Sequence, residues 1–405
     1  MRRHAGSRAF LFLAVAFSAA SCTTSSSVLP SPSVPTSFGG PTPSGPSASA
    51  SATSSASESR QATTAPASAA SGGKLVFSRH DPQTDDTLCF TIDPGGSNEA
   101  RGHAGACGPP SPDGTKILTT VYQPNGFGPL VGGRPATTNP DGTGFKVLDS
   151  YPKRQINLSC GYWSPDGRRF LCESGGDGMS TDDGIYTMRS SDGGDLIRIT
   201  QAPAGHEDQP QGYSQDGSRI LFERISDVEP SAEYVVGTDG SGLVRLSPDN
   251  LWTTDFALAA DWSPDGRQIV FASAVESGGH PGLYVVNVDG TGLHQIASPD
   301  IGGPTAQWSP DGHWIASSSC LRCGPQIFLI HPDGTGRASL TDVADGSTSL
   351  TPVWSPDGSW LLYQKQQADG RVTIWTMRPD GSDRTQVADV GTDLSTFWWG
   401  AAQTP

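Results

Sequence analysis

The residues best suited to chemistry are histidines and acidic residues that stand together in short segments between apolar runs. Carboxylates near histidine can move protons, and clustered oxygen ligands suit hard cations such as Ca²⁺. No fixed ligand spacing links the segments, so we expect these side chains to be solvated loop charges. A ligand-binding rim is the functional alternative, and a Ca²⁺ site is a less favoured alternative. We predict no catalytic residue and no other metal or cofactor. The candidate ligand-binding residues are His80, Asp81, His206, Glu207, Asp208, Glu276 and His280.

Serine nucleophiles and repeated aspartates suggest two further kinds of chemistry, and both have simpler interpretations. The nearest match to a Gly-x-Ser-x-Gly nucleophile elbow runs from Gly212 to Asp216 and lacks the final glycine. The aspartates recur in one local motif, where a short acidic side chain stabilises a turn by bonding nearby amides. We therefore predict structural roles for Asp113, Asp166, Asp265, Asp311 and Asp357.

The cysteines form the third chemical set. Of the seven, six follow Cys22, and an even number favours disulfides in an exported chain. One pair flanks a turn at equal distances and should meet across two strands. Another has the spacing of a redox motif, but no thioredoxin-like context surrounds it, so we expect a local disulfide. The predicted pairs are Cys160 with Cys172, Cys89 with Cys107, and Cys320 with Cys323.

A repeated unit of about 47 residues must position these side chains. Its box is Ser-Pro-Asp-Gly or a close variant, beginning at Ser111, Ser164, Ser214, Ser263, Ser309 and Ser355. A second turn containing Asp-Gly follows each box, at Asp141, Asp192, Asp239, Asp289, Asp333 and Asp380. Pro presets a turn, Asp bonds nearby amides and Gly adopts the left-handed conformation, so each repeat is predicted to form four short strands joined by turns.

The chain ends fix the number of repeats. Residues 75–78 and 88–92 supply the second and third strands of a unit without a first strand, and residues 394–399 form a first strand without successors. Six complete units plus this split one predict an all-β, seven-bladed β-propeller of four-stranded blades, closed by pairing the two ends. Six blades are the alternative. Both Asp-Gly turns then lie on one face, and the histidine and acidic segments lie on the other, here called the loop face.

The box has a family resemblance. Tryptophan directly precedes four boxes, at Trp163, Trp262, Trp308 and Trp354, and the second turn often reads Asp-Gly-Thr-Gly. This pattern resembles the WD40-like PD40 repeat of the TolB propeller family, which also occurs in prolyl-oligopeptidase-type and tricorn proteases. The resemblance covers about residues 74–402 and implies the propeller fold. TolB propellers bind protein partners of the cell envelope, but here a stalk replaces the TolB N-terminal domain and seven blades replace six.

The N-terminal part is unlike the repeats. Residues 1–21 have the order of an export signal, with arginines, an apolar run and small residues before Cys22. The small residues resemble a bacterial lipobox, which predicts lipidation of Cys22 and anchoring at the outer or periplasmic face of the cell membrane, with ordinary cleavage and secretion as the alternative. Residues 22–73 are rich in Ser, Thr, Pro and Ala and predict a disordered stalk, because they have little apolar surface to bury. The propeller is predicted for residues 74–402.

The charge balance and the fold together point to a binding role. A net charge of -15 without a basic cluster in the repeats argues against a nucleic-acid partner. We predict a monomeric cell-envelope scaffold that recognises a protein, peptide or glycan through its loop face and channel, and meets the membrane only through the lipid anchor. The alternative is an extracellular hydrolase or lyase acting on a polymer. Carboxylates or histidines that converge on the channel would favour the enzyme, and scattered charges the scaffold.

Overall fold

The fold is an antiparallel β-propeller of seven blades. The computed structural model describes residues 73–81, 86–105, 107–122, 133–150, 158–174, 182–226, 229–249, 251–253, 260–274, 282–298, 305–319, 324–342, 344–392 and 396–400. Within these ranges no helix is long and apolar enough to cross a membrane. Cys22, Glu276, His280, Cys320 and Cys323 lie outside them, so the predictions for these residues stay predictions.

The first three blades are built from strands β1 to β11 together with the C-terminal strand β29. Blade 1 contains β1 (Leu75–Asp81), β2 (Asp86–Ile92), β3 (Ala100–Ala104) and β29 (Phe397–Trp399). Blade 2 contains β4 (Cys107–Pro110), β5 (Ile117–Tyr122), β6 (Gly133–Thr138) and β7 (Lys146–Val147). Blade 3 contains β8 (Leu158–Trp163), β9 (Arg169–Ser174), β10 (Gly184–Arg189) and β11 (Ile197–Arg198).

In the remaining four blades the strands follow chain order from the innermost strand outwards. Blade 4 contains β12 (His206–Tyr213), β13 (Arg219–Ser226), β14 (Ala232–Gly237) and β15 (Val244–Arg245). In blade 5, β16 (Trp252–Thr253) and β17 (Ala260–Trp262) both pair with β18 (Gln268–Ala274), followed by β19 (Gly282–Asn287) and β20 (His294–Ala297). Blade 6 contains β21 (Ala306–Trp308), β22 (Ile315–Ser318), β23 (Ile327–Ile330) and β24 (Ala338–Ser339), and blade 7 contains β25 (Thr348–Trp354), β26 (Leu361–Gln366), β27 (Val372–Met377) and β28 (Thr385–Gly391).

Blade 1 is the split blade that the sequence predicts. Its strand order is β29-β1-β2-β3, and Trp399 pairs with Leu75 while Phe397 pairs with Phe77. The C-terminal strand is therefore the innermost strand of a sheet that the N-terminal strands complete. Its described part begins at Phe397, later than the predicted residue 394. This pairing confirms closure by both chain ends and the count of seven.

The Ser-Pro-Asp-Gly box folds as a small network of hydrogen bonds. In blade 7, the Ser355 hydroxyl donates to Oδ1 of Asp357 at 2.6 Å and accepts the backbone N–H of Trp360 at 2.9 Å. The same carboxylate oxygen accepts the N–H of Ser359 at 3.0 Å. Equivalent bonds recur in the other boxes, so the repeated aspartates have the structural role that the sequence predicts.

The glycine of the second turn allows neighbouring blades to approach each other closely. A methyl group on Gly240 of blade 4 would lie 3.0 Å from the carbonyl oxygen of Ile199 in blade 3. A methyl group on Gly96 of blade 1 would lie 3.4 Å from the carbonyl oxygen of Val387 in blade 7, across the closure. Both glycines also have positive φ. The turn therefore requires glycine for its backbone conformation and for its close approach to the preceding blade.

The core lies between blades. Leu171 of blade 3 packs with Ile220 and Phe222 of blade 4, and each following interface repeats this arrangement of second and third strands. The box tryptophan Trp163 and its counterpart Trp399 in β29 reach the preceding innermost strand, since the Trp163 indole N–H donates to the carbonyl of Pro109 and that of Trp399 to the carbonyl of Val353. Both tryptophans pack between blades.

Candidate functional site

The predicted loop-face charges of blade 4 form local ion pairs. Nε2 of His206 lies 2.6 Å from Oε1 of Glu229. Arg224 donates to both carboxylate oxygens of Asp208, at 2.6 and 2.8 Å, and the Asp208 side chain is fully buried. A buried bidentate pair fixes the strand ends, because each charge satisfies the other's hydrogen bonds. These residues act first as structural supports of blade 4.

The remaining described rim residues do not gather into one site. His80 pairs across the sheet with Thr87 and Asp81 with Asp86, at the loop-face end of blade 1. Glu207 lies in blade 4, where it pairs with Ile225. The structure thus brings His206 and Asp208 to neighbouring positions of one strand and places His80 and Asp81 in another blade.

Two of the predicted disulfides form. Cys160 and Cys172 are directly opposite each other in β8 and β9 and are bonded. Cys89 of blade 1 is bonded to Cys107, the first residue of blade 2. Disulfides persist in oxidising compartments, so both bonds indicate a location outside the cytoplasm.

A group of carboxylates in blades 3 to 5 contains the predicted Glu207 and three residues that the sequence analysis missed. We call Glu173, Glu207, Glu233 and Asp261 the acidic cluster. Glu173 is the next-to-last residue of β9, and Glu207 and Glu233 are the second residues of β12 and β14. Since β9 runs towards the loop face and β12 and β14 run away from it, all three glutamates belong to the loop-face half of the molecule.

The innermost strands of the blades form the wall of the central channel. In a propeller these strands surround the axis, and the residues that precede the box tryptophans are partly exposed there. Tyr162 and Asp261 hold this position in blades 3 and 5, while Val353 and Trp398 hold it in blades 7 and 1. The channel wall is therefore polar and acidic on one side and apolar on the other.

Burial raises the pKa of several of these groups and of the neighbouring Tyr162. Burial raises the pKa of Tyr162, and the charges of Glu173, Asp261 and Glu233 raise it further. Burial, followed by the charge of Glu207, raises the pKa of Glu173 to about 8. Burial raises the pKa of Asp261 to about 7 although its carboxylate accepts the backbone N–H of Trp308 at 2.8 Å. Carboxylates with such values change charge near neutral pH.

Glu233 is the most enclosed member. Its exposure is 0%, and burial together with the charge of Glu223, its cross-strand neighbour, raises its pKa well above the usual range. Gln211 donates an amide N–H to Oε1 of Glu233 at 3.2 Å. The second carboxylate oxygen of Glu233 and the amide oxygen of Gln211 are buried without a hydrogen-bond partner.

The sequence contained a signal for this cluster. Glu173 and Glu223 occupy the same position of the second strand in successive repeats, where other blades carry Ser78, Ser318 or Gln364. An acidic residue inside an apolar strand is rarely buried without a partner or a function. Among the described residues, no group of three or more His, Cys, Asp or Glu side chains is arranged to hold a metal ion.

Comparisons with known proteins agree with this fold. Residues 252–399 match the family model of the TolB beta propeller domain, PD40. A puromycin hydrolase mutant complexed with PGG has a TM-score of 0.58 at 14% identity, over 80% of this chain and 53% of that one. An oligogalacturonate lyase in complex with manganese has a TM-score of 0.52 at 14% identity, over 78% and 86%. TolB from Acinetobacter baumannii has a TM-score of 0.46 at 17% identity, over 78% and 79%.

Residues 252–399 are thus similar to the PD40 repeats of the TolB propeller domain, and the chain shares the β-propeller fold with these structures. At such low identities the solved structures share the fold alone. Their names include a hydrolase, a lyase and TolB, so the function of this chain has to be argued from its own residues.

Proposed function

We propose that this protein is a monomeric, extracytoplasmic binding scaffold, anchored through a lipid on Cys22, which recognises a protein, peptide or glycan of the cell envelope through its channel and loop face. One observation carries the proposal. Glu173, Glu233 and Asp261 form no salt bridge within the described part of the chain, whereas the rim charges His206 and Asp208 are already paired. When they are ionised, such carboxylates create a negative potential that attracts a cationic ligand.

An enzyme acting on an extracellular polymer is the second candidate. Glu173 and Asp261 are half-buried residues of blades 3 and 5 with pKa values of about 8 and about 7, which suit general acid or base catalysis. Against this, Glu233 has no exposed surface and His206 is held by Glu229. A scaffold requires only that part of the cluster reach the ligand, so it agrees better with the burial.

The two candidates differ in whether a ligand is retained or converted. The exported full-length protein would be cross-linked to envelope components in intact cells, and the captured species identified by mass spectrometry. In parallel, purified protein would be incubated with envelope polysaccharides and peptides and the products analysed. We expect a stoichiometric complex and no turnover. Turnover that Glu173→Gln abolishes, without a stable complex, would replace the scaffold by the enzyme.

A further inference from the structure

Neighbouring blades are joined by an apolar core and by three kinds of specific contact. The indole of a box tryptophan donates to the preceding blade, as Trp163 does to the carbonyl of Pro109 at 2.9 Å. The side chain directly before the box tryptophan bonds the following blade, as Oε1 of Gln307 accepts the backbone N–H of Trp354 at 2.7 Å. The box proline packs under the box glycine of the following blade. The repeat allows these contacts to be compared from one interface to the next.

The interface between blades 4 and 5 lacks all three contacts among the described residues. Nε1 of Trp262 is buried without a hydrogen-bond partner. Gly212 holds the position of Gln307 in blade 4, and glycine has no side chain to extend towards blade 5. Gln215 replaces the box proline, and no other segment comes within 4 Å of a methyl group placed on Gly266 of blade 5. Three separate features of the sequence therefore weaken the same interface.

The interfaces on either side keep specific contacts. Between blades 3 and 4, the Tyr213 hydroxyl forms a hydrogen bond of 3.0 Å with Oγ1 of Thr187, and the box proline lies 3.5 Å from a methyl group placed on the box glycine. Between blades 5 and 6, the Asp261 carboxylate accepts the backbone N–H of Trp308 at 2.8 Å, and the corresponding proline distance is 3.7 Å. The interface between blades 4 and 5 thus has fewer specific contacts than either neighbour.

Blade 1, which both chain ends build, is also tied to both of its neighbours. The indole N–H of Trp399 donates to the carbonyl of Val353 in blade 7 at 3.0 Å. The disulfide between Cys89 and Cys107 joins blade 1 to blade 2. The closure of the ring is therefore better secured than the interface between blades 4 and 5.

We propose that blades 4 and 5 form a seam at which the native ring opens locally, while strand pairing keeps blade 1 closed. Apolar packing favours the closed seam, because Leu221 of blade 4 packs with Trp262 and Phe271 of blade 5. Local opening occurs where specific contacts are fewest, so these blades separate before the ring unfolds as a whole. Separation at the seam widens the channel without breaking the pairing of β29 with β1. The seam exists whichever ligand the channel binds.

Labelling of a buried thiol measures this opening, because a reagent reaches the thiol only when the blades separate. Leu221 and Leu171 hold equivalent positions in β13 and β9, and both are fully buried, Leu221 against blade 5 and Leu171 against blade 4. The full-length variants Leu221→Cys and Leu171→Cys would be treated with iodoacetamide in native buffer at several urea concentrations. Mass spectrometry of the labelled peptide separates the new thiol from the natural cysteines.

We expect the thiol of Leu221→Cys to be labelled about tenfold or more faster than that of Leu171→Cys in the absence of urea. Its labelling rate should depend only weakly on urea, because a local opening exposes little surface. The thiol of Leu171→Cys should be labelled mainly through global unfolding, with a steep dependence on urea. Equal rates in two variants of equal stability would overturn the seam.

A second substitution restores one of the missing contacts. Gln215→Pro, combined with Leu221→Cys, places a proline under Gly266 and should slow labelling by about threefold or more. Gln215→Ala in the same background is the control and should leave the rate unchanged. A labelling rate that Gln215→Pro does not lower would contradict opening between these two turns.

Two tryptophan variants test the seam without a new cysteine, should either leucine variant fail to fold. Trp163→Phe removes an indole N–H that is bonded across blades 2 and 3, so the urea midpoint should fall. Trp262→Phe removes an indole N–H that has no partner, so the midpoint should stay the same or rise. A larger fall for Trp262→Phe than for Trp163→Phe would show that blades 4 and 5 are as firmly joined as the others.

Discussion

At the residue scale, the position of an acidic side chain in the repeat decides whether it stabilises a turn or is left without an internal hydrogen-bond donor. The box aspartates accept hydrogen bonds within their own turns, and the hydroxyl of Ser164 is the first cause of the lowered pKa of Asp166. Glu173 sits in an apolar strand where no donor satisfies its second oxygen. The local sequence predicts the first case from turn chemistry alone. The second depends on which strands surround the glutamate, which no local pattern contains.

The first prediction concerns Glu173 and pH. Burial raises the pKa of Glu173 from 4.5 to about 8, so the folded protein binds a proton that the unfolded chain releases between these values. This contribution to stability is complete below about pH 4.5 and is lost as the pH rises to about 8. Glu173→Gln should therefore raise the free energy of unfolding at pH 8 by roughly 1–3 kcal/mol and have little effect at pH 5.

Thermal unfolding followed by circular dichroism between pH 5 and pH 8.5 measures this difference. Glu99→Gln is the control, because its carboxylate is partly exposed and paired with Arg79. If wild type and Glu173→Gln lose stability in parallel as the pH rises, Glu173 is ionised at neutral pH and the account of its burial is wrong.

The second prediction tests the box network. Ser355→Ala removes the acceptor for the buried N–H of Trp360 and the donor to Asp357, which should lower stability by about 1–2 kcal/mol. Ser359→Ala removes a hydroxyl bond to the same carboxylate near solvent and should cost less. Urea unfolding of both variants gives the comparison. Equal losses of stability in the two variants would show that the hydrogen bond to the buried N–H of Trp360 does not determine the stability of the turn.

At the element scale, turns carry much of the contact between blades. A methyl group on Gly312 would lie 3.7 Å from Cδ of Pro264, and one on Gly358 would lie 3.6 Å from Cδ of Pro310, so the box proline of one blade packs under the box glycine of the next. Blade 4 carries Gln215 in place of proline, and Gly266 of blade 5 has no atom within 4 Å of the same point. The box sequence predicts the turn, and the contact appears only once the blades are arranged in a ring.

The third prediction follows from this exception. Gln215→Pro should raise the free energy of unfolding by about 0.5–1 kcal/mol, because it restricts the unfolded chain and restores the contact with Gly266. The other boxes accept proline at this position, and the backbone N–H of Gln215 makes no intramolecular hydrogen bond among the described residues. Gln215→Ala is the matched control and should change little. A Gln215→Pro variant less stable than Gln215→Ala would mean that blade 4 has a different turn.

At the scale of the whole molecule, strand pairing joins the two chain ends within blade 1, and a disulfide joins blade 1 to blade 2. Phe397 and Trp399 are buried in the closure, where they pack with Leu75 and Phe77 of the N-terminal strand. Cys89–Cys107 links blade 1 to blade 2 at the adjoining interface. Counting strands at the chain ends was enough to predict the ring. The cluster between blades 3 and 5 could not be predicted in this way, because it depends on which side chains meet across interfaces.

The fourth prediction concerns closure. Deletion of residues 394–405 removes β29, exposes the edge of β1 and leaves aromatic positions of the core empty. Burial of one such side chain contributes about 2–3 kcal/mol, so the melting temperature of the whole propeller should fall sharply and aggregation should increase. Deletion of residues 401–405 is the control and should have little effect. A protein without residues 394–405 that melts like the full chain would contradict closure by this strand.

Recognition through the channel is tested by comparing ligand capture by two variants of the full-length protein in intact cells. Glu173→Gln combined with Asp261→Asn removes two ionisable carboxyl groups from the acidic cluster, and Glu99→Gln removes one charge from the exposed pair of blade 1. After cross-linking and quantitative mass spectrometry, wild type and Glu99→Gln should retain the same envelope partner, and the double variant should lose it by about tenfold or more. Equal capture by all three folded proteins would contradict recognition through the channel.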